Sequence, residues 1–356
     1  MKIALLFDPI TQSGGAEKLL WYLADEYPDS KIYTVIYNPE LVPERFKTRI
    51  ICSWLQKFPR AAQNPKPYLP LFPIAYESFD LSNYDRIISL TTLFAKAVIT
   101  RPETLHIGYI NSPPRFLYSE QNLKRYINNS FLQHLVSPLF KWLKFYDSLA
   151  TKRPDILIAN SQNIQQKIKK IYDLDSKVVY PFADDSYFKK RIISKTPNQY
   201  VIVSRLEKWK RIDYAIQAFN NLPDKKLIII GTGSDMSRLK KIAKDNVIFT
   251  DWINDSKVAD IVSQSRAMIM PQDEDFGITA VESQALYTPV IALNSGGAKE
   301  TVINGETGIL YENQIPQSLI KAIKVFERTD FKADKLYQNA LKYRQSQFIQ
   351  NIAKYL

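Results

Sequence analysis

The stretch Ala267-Met-Ile-Met-Pro-Gln-Asp-Glu-Asp-Phe-Gly-Ile-Thr-Ala-Val-Glu282 reads as a strand, a turn and a helix. Ala267-Met-Ile-Met270 is short, apolar and closed by Pro271, as a parallel strand buried on both faces would be. Gly277 suits a sharp turn or a close approach of backbone to ligand. From Thr279 the spacing predicts a helix through Ala280, Val281, Glu282 and Ala285. Glu274 then falls in the loop at the strand's carboxyl end, and Glu282 about one turn into the helix. A helix N-terminus offers unpaired N–H groups to an anionic or hydroxyl-rich ligand, and carboxylates beside it can accept hydrogen bonds from sugar hydroxyls. Against that stands a plainer reading: an acid in the first turn often only complements the helix dipole.

The same pattern extends outward along most of the chain. Residues 2–7, 32–36, 86–90, 106–110 and 155–159 read as strands of one parallel sheet, with helical stretches between them. A second series begins at Tyr200-Val-Ile-Val203 and continues with Leu227-Ile-Ile-Ile230, Val247-Ile-Phe249, Ala267-Met-Ile-Met270 and Pro289-Val-Ile-Ala292. Apolar runs of this length between helices predict an α/β chain of two Rossmann-like, doubly wound domains, with ligand in a cleft where the carboxyl ends of both sheets face each other. The segment 185–198, rich in charge, Ser and Pro, loses the pattern and reads as a linker between residues 1–184 and 199–333. Residues 334–356 read as a C-terminal helix that either packs back on the first domain or caps the second. A dinucleotide fingerprint is missing: Thr11-Gln-Ser-Gly-Gly-Ala-Glu17 fails G-x-G-x-x-G, and Gly231-Thr-Gly233 lacks the third glycine.

Composition narrows the function classes. A length of 356 residues exceeds what one core usually organises, and 45% hydrophobic residues supply ample material for two. The single cysteine, Cys52, excludes an internal disulfide framework and fits a reducing compartment. Two histidines and one cysteine leave little for a zinc site, so no metal is expected. The first strand is too soon interrupted to be a signal peptide, and no stretch approaches the roughly 20 apolar residues of a membrane span. The expected location is the cytoplasm. A net charge of +12 points to anionic partners. No helix-turn-helix, RNP signature, zinc finger or basic tail accompanies it, so nucleic acid is not an expected partner.

Three further constellations could carry chemistry. Ser13-Gly14-Gly15-Ala16-Glu17-Lys18 follows the first strand and opens a helix; its adjacent glycines allow backbone N–H groups to approach a phosphate or sugar. Read alone, it is an ordinary strand-to-helix turn. Ser204-Arg205-Leu206-Glu207-Lys208-Trp209-Lys210-Arg211 follows the first strand of the second domain, where Arg205 and Lys210 can grip a diphosphate from two sides. A basic run is more often a solvated face, but the end of a buried strand favours the functional reading. Asn294-Ser-Gly-Gly297, Glu300 and Val302-Ile-Asn-Gly-Glu-Thr-Gly308 form a Gly-rich loop pair best read as turn chemistry.

Together these residues resemble glycosyltransferase family 4, the retaining nucleotide-sugar transferases of GT-B architecture. The resemblance is strongest across residues 199–311 and extends through Tyr84-Asp-Arg-Ile-Ile-Ser89, His106-Ile-Gly-Tyr-Ile-Asn-Ser-Pro-Pro-Arg-Phe-Leu117, Ile158-Ala-Asn-Ser161 and Val178-Val-Tyr-Pro-Phe-Ala-Asp184. Its Glu274-Asp-Phe-Gly-Ile278 and Ser112-Pro-Pro-Arg-Phe-Leu117 variants resemble a branch rich in GDP-mannose-using mannosyltransferases. By this resemblance Arg205 and Lys210 would neutralise the leaving diphosphate, and Glu282 would bind the ribose. Glu274, with the backbone of Phe276, Gly277 and Ile278, would hold the donor sugar, and Gly15 would pass close to the diphosphate. Trp252 and Ile253 would lie near the base; Gly14, Asn111 and Arg115 would meet the acceptor. Such enzymes need no metal or other cofactor, and their partners are a nucleotide-sugar donor and a glycan or lipid-linked glycan acceptor.

Two positions depart from the family. Asn111 stands where a histidine is common; Asn can orient a sugar hydroxyl but cannot act as a general base near pH 7. Tyr287 stands where glycine is usual. His106 lies upstream at the strand's start and reads as structural. The segment Arg115 to Arg153 carries seven Lys or Arg against two acids, interleaved with Phe116, Tyr118, Tyr126, Phe131, Phe140, Trp142, Phe145 and Tyr146. It reads either as a contact for an anionic membrane surface or as a buried helix pair with snorkelling lysines. The leading expectation is a retaining hexosyltransferase, plausible for mannose from GDP-mannose in cell-surface polysaccharide or glycolipid synthesis. Asn111 leaves open a second reading, a catalytically weak or inactive nucleotide-sugar-binding subunit. A third reading is a nucleic-acid binder driven by charge alone.

Overall fold

A computed structural model describes residues 1–118, 130–189 and 194–356. Tyr126 of the basic, aromatic stretch and residues 190–193 of the expected linker lie outside the described residues. The chain divides into two compact units: Met1–Val179 with Asn351–Leu356, and Tyr180–Gln350.

The first unit is built on seven parallel strands: β1 (Ile3–Phe7), β2 (Lys31–Thr34), β3 (Ile50–Cys52), β4 (Arg86–Thr91), β5 (Leu105–Ile110), β6 (Ile156–Ala159) and β7 (Lys177–Val178). Their spatial order is β3-β2-β1-β4-β5-β6-β7. All five residues of β1 are buried, which accounts for an apolar run without alternation. The edge strands β3 and β7 are only three and two residues long, and short edges resist unwanted pairing. Helices were expected between all strands, yet the path from β2 to β4 is mostly 3-10 turns plus one short helix, Phe72–Glu77. Pro39, Pro43, Pro65, Pro67, Pro70 and Pro73 punctuate it, and each removes an N–H that a longer helix would need.

Two buried polar knots hold this unit. Asp8, directly after β1, accepts hydrogen bonds from Thr91 Oγ1 (3.0 Å) and from the backbone N–H groups of Thr92 (2.5 Å), Leu93 (2.8 Å), Phe94 (3.2 Å) and Ala95 (3.1 Å). A single carboxylate thereby fixes the loop leaving β4. The second knot centres on Asp147, in helix Ser130–Ala150. Its Oδ1 accepts from Lys96 Nζ at 2.7 Å, and its Oδ2 from the hydroxyls of Tyr118 (2.8 Å) and Tyr172 (2.7 Å). The Lys96 and Asp147 side chains are 2% and 0% exposed, so the ion pair is wholly desolvated.

His106, in β5, is fully buried with Nε2 2.9 Å from Ser89 Oγ, while its Nδ1 has no partner. Desolvation lowers its pKa to about 4, against an opposing pull from Asp155. The unfolded chain binds this proton near pH 6.5 and the folded chain only near pH 4, so the folded state is fully stable above the higher value. Stability should fall, by on the order of 3 kcal/mol, as pH drops through that window. Urea titrations of the wild type and of His106→Gln from pH 7 to pH 4 check this. The variant should show a flatter acid limb, and an unchanged slope would refute the assignment.

The second unit carries six parallel strands: β8 (Gln199–Val203), β9 (Lys226–Ile230), β10 (Val247–Phe249), β11 (Ala267–Met270), β12 (Val290–Leu293) and β13 (Gly308–Tyr311), in the order β10-β9-β8-β11-β12-β13. Alternate residues enter opposite cores. Val201, Ile228, Ile230, Met268, Met270, Val290 and Ala292 pack in one cluster; Tyr200, Ile202, Leu227, Ile229, Ala267, Ile269 and Ile291 pack in the other. Period-two alternation is present, but both faces are dry, so the sequence shows only continuous hydrophobicity. β13 lies at the end of what reads as a Gly-rich loop.

The C-terminal stretch is two helices, Ala333–Leu341 and Gln345–Ala353, separated where Ala183 N–H donates to the Tyr343 carbonyl at 2.9 Å. Tyr337 of the first helix stacks on Tyr287, with ring centroids 5.3 Å apart. Tyr287 has φ 57°, the left-handed region that glycine tolerates best. Backbone geometry thus explains why glycine suits this position, and stacking offsets the cost of a side chain. The last six residues belong to the first unit, where Arg86 Nε donates to the Leu356 carbonyl at 3.2 Å. Among the described residues, no helix is long and apolar enough to cross a membrane.

Candidate functional site

In a doubly wound sheet, consecutive strands run outward from a central pair, and the loops leaving that pair diverge to open a crevice at their carboxyl ends. In the second unit the central pair is β8 and β11. The loop after β8 carries Arg205 and Lys210; the loop after β11 carries Glu274 and leads into helix Ile278–Ala285. The sequence-predicted residues therefore surround the point where this topology places ligands.

Lys210 and Glu274 meet there. Lys210 Nζ hydrogen-bonds Glu274 Oε1, and the side chains are 10% and 16% exposed. The ammonium also lies 4.0 Å from the Trp209 ring centroid, a cation–π contact that limits its swing. Glu274 Oε1 receives a second hydrogen bond, from Gln272 Nε2 at 2.7 Å. Arg205 is exposed on the same β8 loop.

Main-chain contacts set the frame. Leu206 N–H donates to the Thr232 carbonyl at 2.8 Å, and a Cβ at Gly233 would lie 2.4 Å from the Leu206 carbonyl oxygen. Gly231-Thr-Gly233 therefore serves a close approach of two loops, not a dinucleotide. Gly297 N–H donates to the Glu274 carbonyl at 2.8 Å, and a Cβ at Gly297 would lie 2.2 Å from the Phe276 carbonyl oxygen. Gly277, at φ 88°, turns the chain into helix Ile278–Ala285. The Phe276 ring is buried between Tyr180 and Tyr343, so the residue faces the site only through its backbone. Glu282 is half-buried, a little over one turn into that helix. After β10, Trp252 is 76% exposed, whereas Ile253 packs against the core.

The first unit places its candidates at the equivalent edge of its own sheet, whose central pair is β1 and β4. Gly14 caps helix Gly15–Glu26 in an extended conformation. Asn111 follows β5; its N–H donates to the Thr91 carbonyl at 2.9 Å, and its own carbonyl accepts from Asn160 Nδ2 at 2.9 Å. Arg115 begins the short helix Arg115–Tyr118. Sequence reasoning passed over Asp8 and Gln272. The first had a readable signal, an acid placed directly after a buried strand.

Two doubly wound units with these strand orders define a GT-B type of fold. Residues 183–343 match the family model described as glycosyl transferases group 1. An uncharacterized glycosyltransferase of Methanocaldococcus jannaschii is 26% identical over 270 residues, spanning 72% of this chain and 67% of that protein. The alpha-1,3/1,6-mannosyltransferase ALG2 of Homo sapiens is 26% identical over 290 residues, spanning 72% of this chain and 66% of that protein. Among solved structures, Anabaena HepE in complex with UDP and glucose shares the fold, with a TM-score of 0.70, 19% identity and 99% of both chains covered. The chain is a glycosyltransferase of the GT-B type.

Proposed function

We propose that the protein is a retaining, metal-independent hexosyltransferase of glycosyltransferase family 4. It moves a sugar, mannose from GDP-mannose, to a glycan or lipid-linked glycan acceptor in cell-surface polysaccharide or glycolipid synthesis. The observation that carries this reading is the Lys210–Glu274 pair at the β8/β11 switch point, with Arg205 on the same loop. Cleavage of the sugar–phosphate bond builds negative charge on the leaving diphosphate and positive charge on the sugar ring. Arg205 and Lys210 answer the first, and Glu274 with the N-terminal backbone of helix Ile278–Ala285 orients the sugar. Glu282 serves the ribose, Trp252 and Ile253 the base, and Gly15 the diphosphate. Gly14, Asn111 and Arg115 serve the acceptor. The human relative's name supports mannose; the UDP and glucose held by Anabaena HepE support a nucleotide-sugar ligand in general.

The full chain should bind and slowly hydrolyse GDP-mannose in preference to UDP-glucose and UDP-N-acetylglucosamine. No binding or turnover with any of the three would sink the proposal. Asn111 favours a second reading, a nucleotide-sugar-binding subunit without turnover. Thermal stabilisation by a nucleotide sugar, with no product even after Asn111→His, would select it.

The protein works at the inner face of the cell membrane. Leu139, Trp142, Phe145 and Leu149 are exposed at helical spacing on Ser130–Ala150. Lys141 and Lys144 line a depression of about 330 Å³ beside them, with Tyr118 and Phe145. Exposed apolar side chains next to lysines fit an anionic bilayer surface. Co-sedimentation with phosphatidylglycerol vesicles but not phosphatidylcholine vesicles supports this; equal binding to both, or to neither, refutes it.

A further inference from the structure

We infer that Gln272 is a positioning residue that presents one oxygen of Glu274 to the donor sugar, an inference that rests on the donor-site reading above. Gln272 is 3% exposed, in the loop directly after Pro271. Its Nε2 donates to Glu274 Oε1 at 2.7 Å, while its own Oε1 is buried without any hydrogen-bond partner. Lys210 Nζ donates to the same Glu274 oxygen. One carboxylate oxygen is therefore held by two donors, which leaves Oε2 to accept from a hydroxyl.

The orphaned carbonyl shows what this arrangement costs. A buried acceptor without a partner is unfavourable, and natural cores seldom keep one without a reason. Turning the amide over would set its oxygen against the Glu274 carboxylate, so the observed orientation is the one that serves Glu274. The surrounding backbone is fixed independently. Gln314 Nε2 donates to the Pro271 carbonyl at 2.8 Å, Ser295 Oγ to Asp273 Oδ1 at 2.8 Å, and Gly297 N–H to the Glu274 carbonyl at 2.8 Å. Gln272 is thus not needed to hold the loop; what it holds is the direction of one carboxylate.

A residue kept for position rather than stability predicts an unusual pair of effects. Gln272→Met retains the shape, removes the orphaned carbonyl and cannot donate. Its melting temperature should equal or exceed that of the wild type. Calorimetric titration with GDP-mannose and UDP-glucose, each against its free nucleotide GDP or UDP, isolates the sugar's share of affinity. Gln272→Met should lose about tenfold in that share and leave nucleotide affinity unchanged, the size expected for one misdirected hydrogen bond. Gln272→Glu should show the same loss at pH 8 and recover toward pH 5, where a protonated carboxyl can again donate to Glu274.

A Gln272→Met protein with the wild-type sugar increment overturns the inference. So does one whose nucleotide affinity and melting temperature fall together, because that marks a merely structural role. If the wild type itself binds neither nucleotide sugar more tightly than its nucleotide, the donor-site reading fails first and takes this inference with it.

Discussion

Lys210→Ala is expected to reduce sugar transfer about 10²- to 10³-fold, the effect of removing one group that stabilises charge developing in a transition state. Two features of the site argue for the upper part of that range. Lys210 is confined by Trp209 and by Glu274, so its charge is already held in place and need not be ordered during reaction. Its loss also leaves the Glu274 carboxylate with only Gln272 as an opposing donor. That negative charge then faces an incoming diphosphate, which adds repulsion to lost attraction. Glu274→Gln introduced on top of Lys210→Ala should therefore cost less than it does in the wild type. A double-mutant cycle on initial rates of donor hydrolysis measures this coupling. A Lys210→Ala enzyme within about fivefold of wild type would remove Lys210 from the machinery, since such groups are worth much more.

Asp147→Ala is expected to destabilise the first unit by about 3–5 kcal/mol, the usual penalty for breaking a buried ion pair from one side. The Lys96 ammonium would remain in a dry interior with the Leu93 carbonyl, 2.6 Å away, as its remaining hydrogen-bond acceptor. The hydroxyls of Tyr118 and Tyr172 would lose their acceptor together. A loss of this size is a large fraction of the 5–15 kcal/mol that holds a typical domain. Replacing both charges at once, as Lys96→Met with Asp147→Leu, should recover much of it, because two well-packed apolar groups avoid the desolvation cost. Hydrogen exchange resolved by segment is the suitable measurement, since two units need not unfold together. A change below about 1 kcal/mol in the first unit's protection would show that the pair is not the stabilising knot described.

What was legible in the sequence was local. β8, β9, β11 and β12 are each a run of apolar residues next to a turn, so strand, loop and helix could be read within about 15 residues of one another. The Lys210–Glu274 partnership follows once those loops are placed on neighbouring parallel strands. β3 and β7 escaped notice because two or three residues at a sheet edge carry no period. β13 escaped because Gly308, packed tightly on Val290, reads as loop chemistry. In the Asp147 knot the Lys96–Asp147 bond alone joins residues 51 positions apart in sequence, and no local pattern announces such a meeting. Tyr287 was a departure from family composition until its positive φ and its stacking on Tyr337 were visible. Gln272 stood in plain view between Pro271 and Glu274, but only an unpartnered oxygen distinguishes it from a loop residue.

The loops after β8 and β9 touch through main-chain atoms at Leu206–Thr232, and those after β11 and β12 at Glu274–Gly297, with Gly233 and Gly297 leaving no room for a Cβ. Such a frame does not depend on which side chains flank it. Position 232, and others whose side chains take no part in the frame or the chemistry, can thus diverge while Gly233 and Gly297 cannot. Descendants of this chain can acquire a new sugar preference by exchanging those side chains, without first having to rebuild the scaffold that holds them.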